Sequence, residues 1–350
     1  MVLHSPANPA ANAVGQEGRL GESFRFPGIP VGWYTVATSR EVEAGRVLPL
    51  KYFGQELVLY RTESGEARLT DAYCPHMGAH LATARVQGEN LRCPFHGFEF
   101  GSDGRCVRAY GKSVPRKAKL ESWPIREHNG FIFAWYHPER TEPEWEIPVL
   151  PGPEEGWTSF RTRRREIASH PQETSENSVD VGHFLYLHNF TDAWYEGDLD
   201  IQGHLLKGAY GLKYRLPGIE PLTALFNVEV HGLGYSLVRI HVPRFGAEMH
   251  LLVLSSPVDA ESIVFRTSLS VKNWGPRPLT YLIREITSLG VAREISQDAP
   301  IWETKRYVER PALADGDGPI GEYRRYCKQF YPEQAAPTAK LPVVGDTRLL

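Results

Sequence analysis

Between positions 262 and 272 apolar and polar residues alternate. Ile263, Phe265, Thr267, Leu269 and Val271 share one face, and Ser262, Arg266, Ser268, Ser270 and Lys272 the other. A period of two is that of a strand with one face buried. Less regular runs over 205–216, 225–230 and 236–242 extend the pattern and together predict one antiparallel sheet. The period then changes. Leu279, Leu282, Ile283, Ile286 and Leu289 recur at three and four, which predicts an amphipathic helix. Upstream, from about 23 to 140, short β-rich runs such as 57–60 and 131–135 are cut at close intervals by Gly and Pro, the pattern of a small all-β domain. Between the two regions, Pro143, Pro148, Pro151 and Pro153 stand among acidic residues, a composition that holds neither a helix nor a central strand.

The fold class is therefore α+β. An all-β domain over 23–140 is joined by a linker over 141–157 to a second domain over 158–335, a curved antiparallel sheet with helices packed on it. Flexible tails are expected at 1–22 and 336–350. The first tail is rich in Ala, Asn, Gly and Pro and lacks an apolar stretch behind a basic start, so it does not read as a signal peptide. No run approaches the roughly 20 apolar residues of a spanning helix, which argues against membrane insertion.

Composition adds few constraints. With 350 residues, 41% of them hydrophobic and 23% charged, the chain has material for two cored domains and no signature of disorder. A formal net charge of -3 gives no long-range attraction to nucleic acid, and the longest basic cluster, Arg163 to Arg165, reads as the solvated face of a strand. Four cysteines are too few for a disulfide framework. Two of them lie in Cys-Pro contexts beside histidines, which suits metal ligation in a reducing compartment and points to the cytoplasm. Cys106 and Cys327 read as plain thiols.

Chemistry begins at Cys74-Pro75-His76 and Cys93-Pro94-Phe95-His96, a C-x-H pair and a C-x2-H pair separated by sixteen residues. Two thiolates and two imidazoles on two loops suit a Rieske-type [2Fe-2S] centre. There, replacing thiolate by neutral imidazole on one iron raises the potential to between roughly -150 and +300 mV. A four-ligand zinc site accepts the same residue types. Zinc motifs favour C-x2-C pairs, which are missing here. His80 lies close by without partner spacing and reads as structural. The glycines and aromatics of 97–104 suit tight turns closing over a cluster.

A second constellation, Asn177, Asp180, His183 and His188, has the order N-x2-D-x2-H-x4-H. On a helix the first three would share one side, with His188 just beyond a further turn. Two imidazoles facing one point, completed by a carboxylate, make the facial triad of non-haem Fe(II) sites that leave positions open for O2 and substrate. The carboxylate must come from elsewhere, and Asp298, Glu294 and Glu303 are the candidates.

Together these motifs resemble the terminal oxygenase components of Rieske non-haem iron oxygenases, across about 23–331. Glu176-Asn177 and the stretch Asp298-x2-Ile301-Trp302-Glu303-x-Lys305 look most like the branch of 3-ketosteroid 9-alpha-hydroxylase oxygenases and cholesterol desaturases. The resemblance implies a Rieske domain joined to a helix-grip (START-like) catalytic domain with a long C-terminal helix, and it selects Asp298 as the third iron ligand. It also implies a head-to-tail homotrimer in which Asp180 bridges a cluster histidine of one subunit to His183 of the next, with Asn177 near the iron. A helix-surface carboxylate is the plainer reading of Asp180. The implied partners are a ferredoxin or ferredoxin reductase drawing on NAD(P)H, O2, and a bulky apolar substrate such as a steroid or terpenoid. Phe184, Tyr186, Phe190, Trp194 and Trp302 are candidates for the apolar wall around it. Hydroxylation, desaturation and demethylation would use the same ligands. A pure Rieske electron carrier and a non-catalytic binder of apolar ligands are the alternatives from other functional classes.

Overall fold

The computed structural model describes residues 26–111, 113–215, 220–314 and 316–332, so the tails expected at 1–22 and 336–350 lie outside the described residues. The amino-terminal strands are β1 (Gly32–Thr38), β2 (Val47–Tyr52), β3 (Gln55–Arg61), β4 (Ala67–Asp71), β5 (Arg85–Gln87) and β6 (Asn90–Arg92). They continue with β7 (Glu99–Phe100), β8 (Cys106–Arg108), β9 (Ser122–Trp123), β10 (Ile125–His128) and β11 (Phe131–Tyr136). They form three antiparallel sheets, in the orders β1-β11-β10, β2-β3-β4-β9 and β5-β6-β7-β8. The expected all-β domain is there, with the two Cys-His motifs on the loops that follow β4 and β6.

The segment expected to be a linker has no regular element from 137 to 152, as its prolines require. It is nonetheless strapped down. Trp145, Ile147 and Leu150 are buried, the Trp33 indole donates to the Trp145 carbonyl at 2.7 Å, and Asn129 holds Pro148 and Leu150 through its side-chain amide.

The second part opens with β12 (Arg161–Ile167) and two short helices, α1 (Pro171–Glu176) and α2 (Gly182–Tyr186). Then come β13 (Asp192–Tyr195), β14 (Asp200–Gln202), β15 (Leu205–Tyr214), β16 (Leu222–His231), β17 (Tyr235–Val242), β18 (Ala247–Pro257) and β19 (Ile263–Val271). A long helix, α3 (Arg277–Thr304), and α4 (Ile320–Cys327) close the fold. The strands make one antiparallel sheet in the order β12-β19-β18-β17-β16-β15-β13, with β14 paired to β15. Among the described residues no helix is long and apolar enough to cross a membrane.

Both faces of this sheet are covered, and that corrects the reading of its strands. All nine residues of β19 are buried rather than alternate ones. The face carrying Tyr235, Leu252, Leu254 and Arg266 packs on β1 and β11, where Tyr235 meets Phe133 at 5.7 Å between ring centroids. Two polar residues of that face bond to the neighbouring domain. Arg266, 2% exposed, donates to the Thr35 carbonyl at 3.2 Å and the Tyr52 hydroxyl at 3.0 Å, and Ser256 donates to Thr35 at 2.7 Å. The opposite face carries Tyr210, Phe226, Ile240 and Phe265 and receives the helices.

The long helix is also oriented differently from its pattern. Leu279, Leu282, Ile286 and Leu289 are 40–60% exposed, and of the five stripe residues only Ile283 packs against the core. The face turned to the sheet instead makes polar contacts along its first half. Arg163 donates to Ser288 and Arg284 to Ser159, so Arg163 is engaged rather than solvated. Ala299 and Trp302 bury the second half against Ile263 and Phe265.

Arg266 thus ties the domains through buried hydrogen bonds whose partners have no water to fall back on. Arg266→Ala is expected to cost about 2–4 kcal/mol of stability, read as a lower urea midpoint at unchanged slope.

Candidate metal centres

The two Cys-His loops share one backbone design. In the first, Cys74 N donates to Ala79 O and Gly78 N to Cys74 O; in the second, Cys93 N donates to Phe98 O and Gly97 N to Cys93 O. Each tight loop needs a left-handed residue at the same place, which Gly78 (φ 72°) and Gly97 (φ 68°) supply. A recurring C-P-x-x-G in the sequence is the signal for this. The loops bring the Cys74 and Cys93 side chains into contact and set the His76 and His96 rings 4.7 Å apart, edge to face. His76 stacks on Phe98 at 4.2 Å. All four cysteines are free thiols.

Two observations fit this quartet to a metal cluster. His96 Nδ1 is buried with no hydrogen-bond partner, a donor position that protein groups leave unused. The Cys74 and Cys93 side chains, each 2% exposed, lie against each other as a pair of sulfur donors, and burial, with the Cys93 thiol beside it, pushes the Cys74 thiol up to about 11. His80 is structural, its Nδ1 accepting from Ala82 N at 3.0 Å to cap a short 3-10 turn.

The second constellation lies not on one helix but across a break between two. Asn177 is the C-cap of α1, Asp180 sits in the turn, His183 is in α2 and His188 follows it. The break has a tertiary cause. Tyr195 Oη accepts from Val181 N at 3.1 Å and donates to Val179 O at 2.7 Å, replacing helical bonds on both sides of Asp180. The turn folds His183 and His188 toward each other, ring centroids 5.2 Å apart.

Asp298, reaching in from α3, completes the set. One donor atom from each of His183, His188 and Asp298 lies within 4.8 Å of the other two. His188 Nε2 stands 3.2 Å from Asp298 Oδ1, with their side chains 1% and 5% exposed. Each imidazole is oriented by its second nitrogen. His183 Nδ1 bonds to the Asp180 carbonyl, and His188 Nδ1 lies 2.9 Å from Gln297 Oε1. Burial alone would lower the His188 pKa, but the bonds to Asp298 and Gln297 outweigh it and raise it. Burial beside Asp298 raises the pKa of Glu294, while Glu303 is exposed at the end of the helix; neither joins the donor set.

An apolar wall adjoins the triad. Phe184 contacts the His183 and His188 rings at 4.2 and 5.7 Å, then Phe190 and Tyr210 at 5.6 and 5.7 Å, and Tyr210 stacks on Phe226 at 5.1 Å. Tyr210 and Phe226 were not anticipated, although their alternation on facing strands was the available cue. Three anticipated wall residues lie elsewhere. Tyr186 is 90% exposed because it projects from the outer side of α2. Trp194 packs over Gly211, on the face of β15 opposite Tyr210. Trp302 is core, against Phe265 at 5.3 Å.

The segments carrying these groups are clamped by buried charge. Glu173 and Glu176 of α1 pair with Lys305, just past α3, and Glu176 pairs with Arg324 of α4 at 2.8 Å.

Family models match the chain almost end to end. The Rieske [2Fe-2S] domain matches residues 32–124, and the 3-ketosteroid 9alpha-hydroxylase C-terminal domain matches residues 134–331. A cholesterol 7-desaturase of Ciona intestinalis is 31% identical over 95% of this chain and 75% of that protein. The oxygenase component of a 3-ketosteroid-9-alpha-monooxygenase from Rhodococcus rhodochrous is 30% identical over 89% of this chain and 85% of that one. Among solved structures, dicamba monooxygenase bound to 3,6-dichlorosalicylic acid shares the fold with a TM-score of 0.71 at 19% identity, covering 88% of this chain and 98% of that chain.

Tyr195→Phe would leave the Val181 N–H and the Val179 carbonyl without their bridge. A loss of about 1–3 kcal/mol is expected, measured by chemical denaturation.

Proposed function

The chain belongs to the 3-ketosteroid 9alpha-hydroxylase branch of the Rieske non-haem iron oxygenases, and on that premise we propose which residues carry its reaction and what it acts on. It is the terminal oxygenase component of a multicomponent system supplied with electrons by a reductase or ferredoxin. In our reading Cys74, His76, Cys93 and His96 hold the [2Fe-2S] cluster, and His183, His188 and Asp298 hold the mononuclear iron. The observation that carries this reading is the convergence of His183, His188 and Asp298 within 4.8 Å, beside an apolar wall and in the same chain as the paired thiol-imidazole loops. When bound, the cluster supplies single electrons and the Fe(II) activates O2 at positions the three side chains leave open.

The protein groups would divide the remaining tasks. Burial works against ionisation of Asp180, but its hydrogen bond and attraction to His183 outweigh it and hold the carboxyl below its usual range. An ionised carboxylate, 36% exposed at a turn, can accept from a cluster imidazole of a second chain. This supports the head-to-tail trimer, as do the exposed Met77, Phe95 and Tyr110 around the cluster loops. Asn177 would border the iron from the end of α1. Phe184, Phe190, Tyr210 and Phe226 would exclude water and hold a rigid apolar substrate.

We take that substrate to be a steroid, since the relatives are named for cholesterol and 3-ketosteroids. Hydroxylation and desaturation both fit the triad, and the unpaired thiols of Cys106 and Cys327 suit a reducing cytoplasm.

Incubation with a reductase, O2 and a panel of sterols and 3-ketosteroids is expected to yield a product gaining one oxygen or losing two hydrogens, seen by mass spectrometry. Cluster reduction without substrate-dependent O2 uptake would instead favour the electron-carrier alternative. Asp180→Ala is expected to slow product formation about 100-fold or more while both metals and the oligomer are retained.

A further inference from the structure

The ligand Asp298 has a neighbour whose side chain acts on a different ligand. Gln297 Oε1 lies 2.9 Å from His188 Nδ1. A side-chain carbonyl oxygen accepts and cannot donate, so this contact requires the proton on Nδ1 and leaves the Nε2 lone pair directed toward the point that Asp298 Oδ1 faces at 3.2 Å. The ring is nearly sealed from solvent, with 1% of its side chain exposed, so water cannot stand in for the amide. The other imidazole uses backbone for the same purpose, His183 Nδ1 bonding to the Asp180 carbonyl.

From this geometry we infer that Gln297 is a positioning residue of the mononuclear site, fixing the tautomer and ring plane of His188; the inference rests on the proposed ligand set. Its placement on α3 means that one helix supplies both a ligand and the orienting partner of another ligand 109 residues away in sequence. A shift of α3 along its axis would therefore move both together. The partner is also neutral. A carboxylate there would make the imidazole more basic and hold the oxidised iron more tightly, whereas an amide orients the ring without adding charge.

The experiment uses the full chain with its [2Fe-2S] cluster intact and the mononuclear site emptied by mild chelation, titrated with Fe(II). Nitric oxide then serves as an EPR probe of the Fe(II) environment. Gln297→Leu is expected to weaken Fe(II) binding about 10–100-fold and alter the rhombicity of the nitrosyl signal, with the cluster spectrum unchanged. Gln297→Glu restores an acceptor, so it is expected to recover the affinity while lowering the Fe(III)/Fe(II) potential. That rescue separates orientation from a general packing defect. If the Leu variant fails to fold, Gln297→Asn, too short to reach His188, takes its place with the same expected loss. Wild-type affinity and an unchanged nitrosyl signal in the Leu or Asn variant would overturn the inference while leaving the ligand set standing. A wild-type chain that takes up no Fe(II) beyond its cluster, or a His183→Ala variant that takes it up as well as wild type, would overturn the ligand set and this inference with it.

Discussion

Asp298 and His188 face each other at 3.2 Å with almost no contact with water, and the rest of the catalytic half is arranged to keep them there. Removing a carboxylate from water costs several kcal/mol even after the protein relaxes. A buried aspartate beside two imidazoles is an expensive object unless a cation sits among them. The pair is thus both the anchor of the proposed iron site and the part of the fold with most to lose if its supports move.

Those supports come from three directions. Along the first half of α3, Arg284 and Arg163 tie the helix to the start of the catalytic region and to β12 through Ser159 and Ser288. Beyond its far end, Lys305 pairs with the buried Glu173 and Glu176, and Arg324 closes the same network from α4. Removing one partner would strand a buried charge, so the network is best understood as fixing the register of α1 against α3. The sheet is held from its other face by the amino-terminal domain, through Arg266 and Ser256 on Thr35. Electron-transfer and catalytic regions therefore share a core, and the stretch over 137–152 is a strap across it.

What was legible in the sequence follows from distance along the chain. The Cys74 and Cys93 loops are local, and their candidate ligands stand at short fixed spacings. His183 and His188 were also paired by spacing, but Asp298, which the structure brings to them, lies over a hundred residues on, and only resemblance separated it from Glu294 and Glu303. The helix break at Asp180 was invisible because its cause, the Tyr195 hydroxyl, is fifteen residues downstream and acts through tertiary contact. The alternation of 262–272 correctly indicated a strand, yet it suggested one wet face, since nothing local says that another domain will cover Arg266. The apolar stripe of α3 misled in the opposite sense, because polar residues bond that helix to the sheet. Aromatic residues near the ligands were poor guides to the wall for a related reason: the side of a strand is decided by register, which placed Trp194 away from Tyr210.

The central claim is that one chain holds two separate iron sites, with Asp298 serving only the second. The most direct test is iron content per chain, measured together with the visible spectrum of the cluster, in the wild type and in Asp298→Ala. The account predicts about three irons in the wild type, two of them in the cluster, and about two in the variant with the cluster spectrum unchanged. Equal iron in both proteins, or a variant that loses the cluster instead, would contradict it.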